Sequence, residues 1–455
     1  MKYLAMILAM LCVACSPADH SDGHADTAAA SSAAPANGNA AGDGKTYAIT
    51  GGTVYTLGAA GKIEHGTVLV KNGRIAAVGA NVEIPADAER IDATGKIVTP
   101  GIFDPQSQFG IVEVGAVKET RDASAGDSRF SAAFDVADAI NPRSMLIPVN
   151  RIAGVTRAMV SPTNGDKHII AGRGAIIDLG STEGFIHRDA AAMFAALGET
   201  GAAQAGGSRA AAMLALREAL QDARDYADNT SAYASNQRRK YALTRLDLEA
   251  LGPVLAGQEP LVLHVERASD IRAALRLARD FKLKLIVSGG AEAWMVADEL
   301  AAAHVPVLLN PLEDLPAHFE TLGSTLENAA RLQKAGVMIA FATGDTHNAR
   351  NVTQAAGNAV ANGLPWLDAL KALMLNPARI YGMDQDVGTL EQGKLADVVI
   401  WSGDPLELSS FADQVFIAGR KIPMVSRQTL LRDRYMQAMR GRKDLPPGYI
   451  VPAAQ

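Results

Sequence analysis

The segment Gly344–Arg350 gathers Asp345, His347, Asn348 and Arg350 directly behind the apolar run Val337–Thr343. A carboxylate at the end of such a run is costly unless it meets a cation or hydrogen-bond donors. Asp345 is therefore expected to do chemistry, and this polar loop is expected to floor a pocket in which Arg350 holds a substrate carboxylate. His264 closes a second apolar run, Leu261–Val265, with Glu266 beside it, and the pair reads as part of a site rather than of a core. Gln106 and Gln108 stand two residues apart, a spacing that puts both on one face of a strand. Their neutral amides could hydrogen-bond a substrate amide or carboxylate, or simply fill space. His168, after Asn164-Gly165-Asp166-Lys167, could reach the same region. His65, His187, His304 and His318 read as ordinary surface or packing residues, and Glu113 and Glu119 as a solvated charged loop.

The elements that must carry these residues alternate. Apolar runs at Ile97–Asp104, Val155–Ser161, Gly174–Leu179, Leu261–Glu266, Leu283–Ser288, Val305–Asn310 and Val337–Thr343 read as strands. Amphipathic helices such as Ser269–Phe281, Ala291–Ala303 and Thr325–Ala335 separate them. Buried strands alternating with helices predict a parallel sheet covered on both faces, either an open doubly wound sheet or a (β/α)8 barrel. No glycine-rich phosphate loop follows the first strand, which weighs against a nucleotide-binding reading. The block 208–257 reads as a lid or as a packed helical pair. Both ends of the chain are β-rich: residues 46–101 carry Gly-Gly, Asn-Gly and Thr-Gly turns, and Gly388–Trp401 and Gln414–Val425 carry turns at Gln392-Gly393 and Ala418-Gly419.

Several spaced elements then resemble the amidohydrolase superfamily, and in particular its imidazolonepropionase-like members. They are Val98-Thr99-Pro100-Gly101-Ile102-Phe103-Asp104, Asn376-Pro377-Ala378, Gly388 to Lys394, Ala396-Asp397-Val398-Val399, Gly403-Asp404-Pro405 and Gly419-Arg420. The resemblance implies a (β/α)8 TIM-like barrel at 102–384 with a small β-sandwich formed by both terminal segments, 46–101 and 385–425. It also implies divalent ions held by a His-x-His after the first strand, a His ending the fifth, a His ending the sixth and an Asp ending the eighth. Such an ion lowers the pKa of water for attack on a carbonyl. Carried onto this sequence, Gln106 and Gln108 stand where the first two histidines belong, His264 matches the fifth-strand histidine, Gly289 stands at the sixth, and Asp345 matches the aspartate. His347 could replace a lost ligand. The implied site is a reduced one, with at most one Zn²⁺, Mn²⁺ or Fe²⁺ on His264, Asp345 and His347, with Asp345 as general base and His264 either a ligand or the catalytic group that polarises the carbonyl. A glutamine oxygen suits harder ions better than zinc.

Two readings follow. One is a hydrolase of C–N bonds in amides, cyclic amides or dipeptide-like substrates. The other is an inactive amidohydrolase-fold protein that binds a small molecule or serves as partner subunit to a sibling hydrolase; a homodimer is expected in either case.

Composition bounds both. The 455 residues are 48% hydrophobic and 20% charged, enough to build a large core. Lys plus Arg number 43 against 49 Asp plus Glu, a net charge of −6 that argues against a nucleic-acid partner. The 2 cysteines are Cys12 and Cys15, so no disulfide framework or cysteine nucleophile is expected in the body of the chain. Lys2, the apolar run Tyr3–Val13 and Ala14-Cys15 resemble a bacterial lipoprotein leader (signal peptide and lipobox, residues 1–15), in which Cys15 is expected to be lipidated and to become the first mature residue. The alternative is an ordinary secretory signal cut nearby. Residues 16–44 read as a flexible tether, so the protein is expected in the periplasm, held to a membrane by its lipid alone. Residues 426–455 read as an exposed helical tail.

Overall fold

The computed structural model describes residues 42–344 and 346–440. The leader, Cys15 and nearly all of the tether lie outside the described residues. Among those described, no helix is long and apolar enough to cross a membrane.

Strands from both ends of the chain form one eight-stranded sheet. The N-terminal side contributes Tyr47–Tyr55, Lys62–Lys71, Arg74–Gly79, Glu89–Asp92 and Ile97–Pro100, and the C-terminal side Val398–Trp401, Ala412–Ile417 and Arg420–Lys421. The two sides join where Ile97–Pro100 pairs antiparallel with Val398–Trp401. Two tight hairpins shape the sheet, with both loop residues at positive φ: Asn72-Gly73 (51° and 77°) and Ala418-Gly419 (48° and 74°). That is the backbone a two-residue type I′ turn requires. Tyr47, Ile49, Val68, Val398 and Phe416 bury their side chains in its core.

The barrel sheet has eight strands: β1 (Ile102–Ser107), β2 (Val155–Val160), β3 (Ile170–Asp178), β4 (Ile186–Ala196), β5 (Leu261–Val265), β6 (Leu285–Gly289), β7 (Val307–Leu309) and β8 (Ile339–Phe341). β8 lies against β1 without a hydrogen-bonded ladder, so the barrel is nearly closed. Val262, Ile286, Leu308 and Ala340 fill its interior with Phe103 and Tyr381.

Three details depart from the expected regular alternation. Ile97–Asp104 is not one strand: it breaks at Gly101, where a Cβ would come within 2.2 Å of the Thr156 side chain. The chain uses that gap to pass from the terminal sheet into the barrel. β3 runs antiparallel to both β2 and β4, because the connections 161–169 and 179–185 are shorter than the dozen or so residues of a parallel crossover. β4 is absent from the expected strands because it is alanine-rich and has little β-propensity.

The block 208–257 is a packed helical pair, Arg209–Asp228 and Arg245–Leu255, joined through Leu216, Leu220, Leu248 and Leu251. Asp247 caps the second helix and accepts the backbone N–H groups of Ser131 and Ala133, each at 2.9 Å, which fastens the pair to the β1–β2 connection. The helix Arg427–Met439 follows a Ser426 cap and is largely exposed.

Candidate functional site at the mouth of the barrel

A parallel barrel exposes side chains at the C-terminal ends of its strands, where the loops begin. The registers of β4, β5 and β6 bring Ala196, His264 and Ser288 side by side at that end. His264 follows Val262 on the same face of β5, so it continues the interior row upward into the mouth. There it faces a cavity of about 490 Å³ lined also by Glu199, Glu266, Glu313, His318 and Glu320.

His264 Nε2 lies 3.5 Å from Glu266 Oε1. The other oxygen, Oε2, accepts the Ala291 backbone N–H at 2.8 Å. Burial pushes the Glu266 carboxyl above its usual range; Glu313 and Glu320 add to the push, and His264 and the Ala291 amide oppose it. The placement of Glu266 explains the residue at the end of β6. Gly289 has φ +89°, and a Cβ built there would meet Glu266 Oε1 at 2.3 Å. The Glu266 carboxylate fills the space into which a sixth-strand side chain would project.

Glu320 is buried and accepts the Glu199 backbone N–H at 2.6 Å and Arg209 Nη2 at 3.3 Å. Arg209 Nε approaches Asp270 at 3.2 Å. His318 Nδ1 lies 3.9 Å from Glu199 Oε2. Carboxylates therefore outnumber cations around this cavity.

Gln106 reaches the same rim. Its Oε1 accepts the Ser288 hydroxyl at 2.6 Å across the barrel, and its backbone N–H donates to Asp104 Oδ1 at 3.0 Å. Burial pushes the Asp104 carboxyl up to about 7. Gln108 does not share a strand face with Gln106 as the spacing predicts, because β1 ends at Ser107. The Gln108 carbonyl instead accepts the Ile111 and Val112 amides and opens a turn.

Asp345 lies outside the described residues. Its neighbours sit on the loop after β8 but do not line the 490 Å³ cavity. Arg350 Nη1 donates to the His347 carbonyl at 3.1 Å and lies 3.4 Å from His347 Nε2. Asn150 ties the loop down: it accepts the Arg350 backbone N–H at 2.8 Å and donates to the Thr346 carbonyl at 2.9 Å. The structure thus brings His264 and Gln106 to one rim, and holds His347 and Arg350 on each other. His168 contacts the Ser128 carbonyl at 2.7 Å, away from the cavity.

Sequence reasoning missed Glu199, Glu313, His318 and Glu320. Three of them follow β7 in the segment 310–323, and acids crowded behind an apolar strand were the signal available there. Among the described residues, no three His, Cys, Asp or Glu side chains converge tightly enough to hold a metal ion.

Residues 263–425 match the amidohydrolase family. An amidohydrolase of Hapsidospora irregularis is 26% identical over 389 residues, an alignment that covers 78% of this chain; the chain spans only 39% of that longer relative. Imidazolonepropionase of Maricaulis maris is 25% identical over 401 residues, covering 79% of this chain and 93% of the relative. In three dimensions, an amidohydrolase from Thermotoga maritima superimposes with a TM-score of 0.75 at 30% identity, covering 84% of this chain and 100% of that one.

Proposed function

The chain belongs to the amidohydrolase superfamily, and from that premise we propose that it hydrolyses C–N bonds in small amides, cyclic amides or dipeptide-like molecules through a reduced, single-ion site. The observation that carries the proposal is the Glu266 carboxylate, which occupies the sixth-strand position beside His264. The site keeps two donors of the right chemistry there and loses those of the first strand.

The donor set fits one divalent ion and does not fit a pair. Gln106 is engaged by Ser288, and Gly289 has no side chain to offer. Imidazole and carboxylate together suit Zn²⁺, Mn²⁺ or Fe²⁺. His264, Glu266 and Asp345 would hold the ion, and the excess of carboxylates around the cavity favours a cation. When bound, such an ion supplies a Lewis acid and a water of lowered pKa. The protein's own residues do the rest. Asp345 takes the proton from the attacking water, and Glu266, fixed by the Ala291 amide, keeps His264 oriented. The Ser288 hydroxyl holds the Gln106 amide oxygen, which leaves the Gln106 Nε2–H groups to donate to the substrate carbonyl.

The test measures metal and turnover together on the full chain, purified without chelator. About one ion per chain is expected, with hydrolysis of at least one substrate from a panel of N-acyl amino acids, hydantoins and dipeptides. His264→Ala and Asp345→Asn should each lower kcat by roughly 10²–10⁴-fold. No ion after incubation with all three metals, together with no turnover, would overturn the proposal. It would leave the second reading, a binding protein or partner subunit, which the engagement of Gln106 by Ser288 favours.

A further inference from the structure

A cavity of about 610 Å³ lies at the N-terminal end of β5–β8, opposite the His264 site. Lys284 immediately precedes β6, and His304 and Met338 come just ahead of β7 and β8. Arg379, Arg188, Gln258 and Tyr381 complete its polar lining, which includes no Asp or Glu. In a chain whose acids outnumber its Lys and Arg, 49 to 43, an acid-free hollow with several cations is a departure that calls for a cause.

The basic side chains are free to bind. Among the described residues, the side chains of Lys284, His304 and Arg379 have no hydrogen-bond or ion-pair partner. Arg188 is held in place, with Nη1 donating to the Tyr381 carbonyl at 2.8 Å and Nη2 to the Gly382 carbonyl at 3.3 Å. That contact fixes the guanidinium but leaves its charge unmatched, because peptide carbonyls are neutral. Like charges around one hollow repel, and an anion of high charge relieves all of them together. A guanidinium fork and an ammonium suit tetrahedral oxyanions that offer several acceptors. Leu283, Met338 and Ile380 give the cavity an apolar wall as well, and its volume exceeds what a bare oxyanion fills.

We propose that this cavity is a second binding site, one that takes a phosphate group attached to a small organic body. A free phosphate ester and an anionic lipid headgroup offer that same chemistry, and the experiment separates them.

The full chain is titrated calorimetrically with inorganic phosphate and with glycerol 3-phosphate. It is also co-sedimented with vesicles of phosphatidylglycerol and of phosphatidylcholine. The comparison is the double variant Lys284→Glu, Arg379→Glu. Both side chains are exposed, and an unchanged circular dichroism melt confirms its folding. If it fails to fold, Lys284→Gln, Arg379→Gln replaces it. Glycerol 3-phosphate should bind more tightly than inorganic phosphate, and the variant should lose about tenfold in affinity per charge removed. Binding to phosphatidylglycerol vesicles alone, lost in the variant, would support the site and assign the headgroup as its source. No binding to any of the probes, or equal binding by variant and parent, would overturn it. Metal content and turnover at the His264 site play no part in this readout, so the two proposals fail separately.

Discussion

The join between the barrel base and the terminal sheet handles charge in the opposite way to the barrel mouth. At the base, Arg157 is 1% exposed and pairs with Asp397 of the terminal sheet through Nε at 2.6 Å and Nη2 at 3.3 Å. Asp397 also accepts the Ala418 amide at 2.8 Å. Nearby, His187 and Asp178 meet at 3.0 Å, and Asp178 is held below the usual carboxylate range by His187 and Arg157 against the cost of its burial. Each charge in this join has an opposite at contact distance. At the mouth, Glu199, Glu266, Glu313 and Glu320 share Arg209 and two histidines, and Glu266 is pushed above its usual range. Charges that neutralise one another serve the join between the two sheets. Charges left in excess mark the place where something else must arrive.

The largest expected effect would break the base. Arg157→Met leaves Asp397 buried and unpaired, which should cost about 3–5 kcal/mol in urea unfolding. The double variant Arg157→Met, Asp397→Leu removes both charges and should recover much of that loss. A single variant as stable as the parent would show that the base is not held by this pair, and the contrast with the mouth would fall.

Asp104 sharpens the contrast, because it is a buried carboxyl with no cation. Burial raises it to about 7 in the folded state, above about 3.9 in the unfolded chain. The native state therefore holds its proton more tightly. Stability from this group is complete below about pH 4 and declines as pH rises toward 7, by at most about 1.4 kcal/mol per pH unit. Asp104→Asn can still accept the Gln106 amide but cannot ionise. Its advantage over the parent should grow between pH 5 and pH 8 in urea titrations, and parallel profiles would refute the assignment.

Local signals in the sequence showed the alternating strands and helices and the return to the terminal sheet, while the choice of a barrel over an open sheet came from the family resemblance. Asn72-Gly73 and Ala418-Gly419 are turn residues wherever they occur between strands, and His264 stands out at the end of an apolar run. Other features depended on partners distant in sequence. Nothing local to Gly101 says that Thr156 will crowd it, and nothing in the alanines of β4 says that it pairs between β3 and β5. The cavity draws Glu199 from the start of one helix, Glu266 from just past β5, and Glu313, His318 and Glu320 from the loop after β7. Only closure of the sheet brings these segments together. His318 read as an ordinary residue because its neighbour Glu199 is over a hundred positions away.

The smallest effect on stability should come with a large one on function, at Gly289. Alanine there must adopt φ +89°, a strain of about 1–2 kcal/mol. Its Cβ must also displace the Glu266 carboxylate, which lies 2.3 Å from where that atom would be. The displaced group is the far end of a flexible side chain, so the steric conflict resolves by rotation rather than by unfolding. Rotation breaks the 2.8 Å contact with the Ala291 amide and moves Glu266 away from His264. Gly289→Ala should therefore melt only slightly below the parent, yet lose metal affinity and turnover to the extent expected of Glu266→Gln. If the alanine variant keeps both, Glu266 is not the group that replaces the sixth-strand histidine, and the excess of carboxylates at the mouth serves another purpose.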